Sequence, residues 1–370
     1  MNDITSSSVS AAGNNAKLRT NLFKNLLIAT VSALMLLAGS STSWAQASQP
    51  GAMKANGNFF VLKNTGAGLQ IREWNNSGAG AWILRAQYPN ATGQSLGGLT
   101  TSGAFHFTQT LGGNPVLSRW EPSSSPAYQG YPTGWPSLLS APSAVMYGNR
   151  VMLIGDSKLH ERFMFGNTTW YTHGMAPGNK PLRNVPPCVL SDGHVFVITA
   201  GGEVFQMWWN GANNTWNWLN HGYPKKFNFF GKGGVKANSV GAAMPASNKV
   251  FVTCADGSLR QIYYDSAHWI WFNHGNPFGY SVDSPAVAVS DGKLFVTGSS
   301  NNTRALFQLY WNGTIWVWYN HGTPPGTNIA NGTGAAAALG GDNVAVQGAN
   351  GNFYLLYWNG AIWAWKNIGS

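Results

Sequence analysis

A nine-residue pattern, WNWLNHGYP at 216–224, returns as WIWFNHGNP at 269–277 and as WVWYNHGTP at 316–324. A shorter copy, TTWYTHG, occupies 168–174, and WAWKNIG closes the sequence at 363–369. A motif that recurs in this way marks one supersecondary unit used many times, and such units bury their faces by stacking on their neighbours.

The cleanest unit, 285–324, reads PAVAV, SDG, KLFVTG, a short turn, ALFQLY, WNG and TIWVWYNHGTP. These are four alternating apolar runs separated by turn signals. Asp-Gly and Asn-Gly favour the positive φ angles of tight hairpins, so the unit is expected to be a four-stranded antiparallel meander. Composition agrees, with 9% charged residues but 46 Gly and 18 Trp, which suits short strands and tight turns. Unit starts fall near 50, 96, 142, 186, 241, 285 and 335. Unit one is recognised by Asn56-Gly57 and GLQIREWNNSGAGAW, whereas unit two (TSGAFHFTQT, LSRWEP, YQGYP) has lost both motif Trp residues. A four-stranded unit with two apolar faces cannot cover both alone, and radial stacking into a ring does so. The expected fold is all-β: a seven-bladed β-propeller of four-stranded antiparallel blades over 48–370, closing between whole units. A multi-sheet β-sandwich fits the repeated period less well.

Residues 1–47 read as an export signal and not as part of the fold. Lys17, Arg19 and Lys24 precede a short apolar run, 26–38, and Ala45-Gln46-Ala47 supplies a small-residue cleavage site. The expected location is secreted or periplasmic, without a membrane span. Loss of this segment lowers the net charge from +10 to +8. The Lys and Arg residues are scattered, so solubility is favoured over nucleic-acid binding. The exception is KKFNFFGKGGVK at 225–236, read as a solvated loop whose Phe residues cover a blade edge. Cys188 and Cys254 lie on apolar strand positions, and both a disulfide and two buried thiols fit them.

Strand alternation puts Trp216, Trp218 and Asn220 on one face and Asn217, Leu219 and His221 on the other. One reading is structural: Trp rings fill the wedges between blades, Asn and Gly end the strand, and His bonds a nearby carbonyl. The other is ligand contact. Aromatic faces suit the C–H face of a pyranose, while Asn and His offer hydrogen bonds to hydroxyls.

The W-x-W-x-N-H-G-x-P strand, the aromatic pairs Trp208-Trp209 and Tyr310-Trp311, and the turns at Asp192-Gly193 and Asp291-Gly292 resemble the seven-bladed β-propeller lectins of the Photorhabdus type. The similarity is specific from Pro142 onward and weak in units one and two. It implies a multivalent lectin recognising fucosylated or galactosylated glycans between adjacent blades, with no metal or other cofactor and with frequent dimerisation. The matching positions are Trp216, Trp218, Asn220 and His221, then Trp269, Trp271, Asn273 and His274, then Trp316, Trp318, Asn320 and His321. Trp170 and His173 match in part, as do Trp363, Trp365 and Asn367. Ala86, Gln129 and Ile368 fall at the His position of units one, two and seven.

Catalysis is disfavoured. Glycoside cleavage generally uses two carboxylates at close range, and the strand candidates Glu73, Glu121, Glu161 and Glu203 belong to different units. Nucleophile-elbow and zinc-protease motifs are absent from the sequence. A non-catalytic envelope scaffold or protein-binding propeller is the remaining alternative.

Overall fold

The computed structural model describes residues 52–370 apart from 55, 90, 100–104, 112–113, 121–126, 129–142, 147–149, 164–169, 191–192, 226–233, 245–248, 291, 338–339 and 342. The expected signal segment, Gln129, Glu121 and most of the 225–236 loop therefore lie outside the described residues. No helix among the described residues is long and apolar enough to cross a membrane.

The described strands are β throughout and form sheets from consecutive segments paired antiparallel. Six sheets are four-stranded, spanning 52–88, 91–128, 143–174, 188–222, 237–275 and 335–369. The 281–322 segment instead forms a five-stranded sheet, which corrects the expectation of seven four-stranded blades. There the innermost strand is split. Ser281–Val282 and Val287–Ser290 both pair with Lys293–Ser300, and Pro285, which has no N–H to give, stands in the gap. The Ser284 hydroxyl fills in for the ladder by accepting the Thr297 N–H at 2.9 Å.

Sheets follow one another in space as they do in sequence. The innermost strand of each touches that of the next, and Ala52–Met53 meets Ala335–Ala337 to complete the circuit. This is a β-propeller, closed between whole sheets.

Its core lies in the wedges between successive sheets. Met152 and Ile154 of one sheet pack with Val195, Val197 and Phe205 of the next, with Trp216 and Trp218 against them. Phe196, Ile198, Val250, Val252 and Trp271 fill the following wedge, and Phe251, Leu294, Val296 and Phe307 the one after. The circuit is sealed by Leu355 and Ile368 against Phe59, Val61 and Trp74. Cys188 and Cys254 are both free thiols, buried in one wedge, where desolvation pushes each up to about 12.

Candidate functional site

The motif strand is the outermost of its sheet, and its parts divide between ring assembly and an aromatic cleft. Its second Trp serves assembly. Trp271 Nε1–H donates to the carbonyl of His221 on the preceding sheet at 3.2 Å, Trp318 to that of His274 at 2.9 Å, and Trp365 to that of His321 at 3.2 Å. Trp271 is only 5% exposed. Trp218 takes the same place against the preceding sheet, its ring edge-on to Phe205.

Asn and Gly end the strand. The side-chain carbonyls of Asn220, Asn273, Asn320 and Asn367 each accept the N–H two residues on, from Gly222, Gly275, Gly322 and Gly369. These glycines hold φ between +68° and +73°. A Cβ on Gly222, Gly275 or Gly322 would meet nothing within 4 Å, so it is backbone conformation that fixes glycine there, not crowding.

The His ring is bound on its own sheet and faces the next. His221, His274 and His321 Nε2 lie 2.8, 3.0 and 2.9 Å from the side-chain carbonyl of Gln206, Gln261 and Gln308. A carbonyl accepts only, so Nε2 carries the proton and Nδ1 is left as an acceptor. Burial pushes His221 and His321 down to about 4 and His274 to about 3, so these rings are neutral at pH 7. His173 pairs instead with the Glu161 carboxylate at 2.8 Å, and Glu161 also takes Arg150 at 3.1 Å.

The first Trp links that His to the solvent. His173 lies edge-on to Trp216, His221 to Trp269, His274 to Trp316 and His321 to Trp363, with ring centroids 4.7 to 5.5 Å apart across the sheet boundary. Each of these half-buried Trp rings touches a further aromatic on its own sheet: Trp209, Tyr264, Trp311 or Trp358. That last group is exposed by 41–48%. On the His side, exposed Phe272 and Tyr319 sit 4.8 Å from His274 and His321. Tyr171 and Leu219, also exposed, occupy the same motif position earlier in the chain. Four sheet boundaries thus carry a continuous aromatic run from a buried His to solvent.

The exposed rings escaped the motif-based list, although the pairs at 208–209 and 310–311 were visible. Alternation assigns a face but not a depth. Trp170, half-buried at the start of its strand, lies under the Arg162 guanidinium at 5.2 Å.

Two substitutions along the repeat are informative. In the 335–369 sheet, Leu355 and Ile368 stand where Gln308 and His321 stand in the sheet before, an apolar pair for a polar one. In the 52–88 sheet, Arg85, not Ala86, stands at the His place. Arg85 pairs with Glu73 at 2.5 Å, and Trp82 Nε1–H reaches Ile368 O across the ring closure at 2.5 Å.

The strand carboxylates that are described have cationic partners: Glu73 with Arg85, Glu161 with Arg150, and Glu203 with Lys180. No group of three or more His, Cys, Asp or Glu suited to a metal ion occurs among the described residues.

No family model and no curated protein matches the chain. Solved structures do. YCF48 bound to a D1 peptide is similar at a TM-score of 0.56 and 11% identity, covering 87% of this chain and 94% of that one. The Cps50 (Swd1) β-propeller domain of Myceliophteria thermophila gives 0.57 and 10%, over 85% and 98%. A streptogramin B lyase gives 0.53 and 11%, over 84% and 91%. At such identities the likeness shows the propeller fold alone.

Proposed function

We propose that this chain is a non-catalytic carbohydrate-binding protein, a lectin that takes fucose- or galactose-type sugars in the clefts between adjacent sheets. The observation that carries the reading is the fourfold recurrence of the aromatic run, each leading from a His to an exposed ring. Exposed rings offer flat apolar surface to the C–H face of a sugar. One such site is worth about −4 kcal/mol, a dissociation constant of about 1 mM. Several sites engaging a clustered glycan together raise the avidity by roughly two to four orders of magnitude. Export and dimerisation go with this reading.

The single experiment is a glycan array on the purified protein, followed by calorimetry on the hits. Fucosyl or galactosyl signal is expected, and an array without either overturns the proposal. A second reading, a protein-binding propeller, is favoured by exposed Tyr171, Phe272 and Tyr319 on outermost strands and by the peptide held in the YCF48 structure. Pull-down of a protein ligand with a blank array would favour it.

A further inference from the structure

The four aromatic clefts differ in charge, and one of them differs in a way that selects its ligand. This inference rests on the sugar-binding reading and narrows it.

At the register position that opens the second strand, the 143–174 sheet has Arg150, the 237–275 sheet has half-exposed Lys249 and the 281–322 sheet has exposed Lys293. Arg150 is neutralised by Glu161, the residue that faces His173. In the later sheet Gln261 stands where Glu161 stood, two residues inward on the facing strand, and its carbonyl is already bound to His274. No ion pair joins Lys249 to a carboxylate among the described residues, and the sequence just before it, Pro-Ala-Ser-Asn at 245–248, contains no acidic residue. The nearest acidic residue along the strand pair, Asp265, is exposed and accepts the N–H groups of Ala267 and His268 in its own turn.

Lys249 faces the cleft. Its ammonium lies 5.7 Å from the ring centre of Trp316, on the next sheet, and its charge disfavours protonation of His274. The cleft between the 237–275 and 281–322 sheets therefore holds exposed Phe272 and Trp311, half-buried Trp316, a neutral imidazole and one ammonium that pairs with no carboxylate among the described residues, Asp291 lying outside them.

We propose that this cleft binds a hexuronate, a pyranose carrying a carboxylate, with its C–H face on the exposed ring of Trp311 and its carboxylate on the Lys249 ammonium. The ammonium then exchanges one partner, the Trp316 ring, for a charged one.

Calorimetry of the intact chain with galacturonic acid and with galactose, at 20 mM and 500 mM NaCl, tests this. At low salt galacturonic acid is expected to bind up to about fivefold more tightly, the upper end for one solvent-accessible ion pair. The preference should shrink at high salt. Lys249→Gln, a half-exposed position, should erase the preference and leave the melting temperature unchanged.

Four results would overturn the proposal. Galactose binding without a preference for the acid ends it and leaves the lectin reading standing. A preference that survives Lys249→Gln places the anion elsewhere. Tighter binding of both sugars by Lys249→Gln makes Lys249 a plug over Trp316. Binding of neither sugar, with a blank glycan array, removes both readings together.

Discussion

The indole N–H of Trp318 donates to the backbone carbonyl of His274 on the preceding sheet, and the His274 ring in turn lies edge-on to Trp316. Both Trp residues of one motif therefore hold the His of the motif before it. The first uses the ring and the second uses the main chain. Because the second contact needs only a carbonyl, it survives at the ring closure, where Ile368 has replaced His and Trp82 donates to its oxygen.

This division separates assembly from binding and can be tested with two variants. Trp318→Phe removes the donor, leaves the His274 carbonyl unpaired and should cost about 1–3 kcal/mol, seen as a lower melting temperature. Sugar binding should hardly change. Trp311→Ala should do the opposite, weakening binding in its cleft while stability stays within about 0.5 kcal/mol, as for most exposed positions. A variant pair with these effects exchanged would reverse the assignment of the two rings.

The last sheet predicts how the His–Gln pair behaves. Gln308→Leu alone strands the His321 N–H, and His321→Ile alone strands the Gln308 amide, each at about 1–3 kcal/mol. The double variant reproduces the Leu355 and Ile368 arrangement, and chemical denaturation should show it to be more stable than either single. A favourable coupling of about 0.5–3 kcal/mol is expected from the cycle, and simple additivity would count against it.

Acid should loosen the fold through its buried imidazoles. His160, His221 and His321 are pushed down to about 4 and His274 to about 3, from an ordinary value of 6.5. Between these limits the unfolded chain binds more protons than the folded one, so stability falls as pH drops below 6.5 and the loss levels off near 4 to 3. Above 6.5 these groups contribute no pH dependence. Melting temperatures taken from pH 7.5 to 4 should show a flat region followed by a decline, and a rise on acidification would contradict the burial of these rings.

Cys188 and Cys254 should not react while the protein is folded. Their thiols are buried and held up to about 12, so thiolate is scarce and access is blocked. Iodoacetamide followed by mass spectrometry should find both unmodified in native buffer and both alkylated in guanidinium. Rapid native labelling of either would show that its wedge opens.

Much of this was legible in the sequence. The Asp-Gly and Asn-Gly turns, the alternating runs and the Trp-x-Trp strand give a repeated meander, because each feature is local and periodic. Proline broke the pattern where it removed a backbone donor, and Pro285 turns one inner strand into two. The first sheet has Gly80 in place of the first Trp, so Trp82 is its second Trp and the His place falls three residues on, at Arg85; with one Trp missing, counting along the motif lands on Ala86 instead. Depth was the hardest property to read. Trp271 and Trp311 look alike as letters, yet one is 5% exposed and the other 47%. What separates them is the neighbouring sheet, which no local pattern describes.

Each sheet is made of consecutive strands, so among the described residues no strand from one end of the chain completes the sheet at the other. The join is instead made by side chains: Trp82 on Ile368, Arg72 on Ser370 and Lys366 on Ala79. Elsewhere neighbouring sheets are also tied by the covalent chain. Tension between residues 52 and 370 falls on these few bonds first, which makes this junction the natural gate through which the molecule unzips.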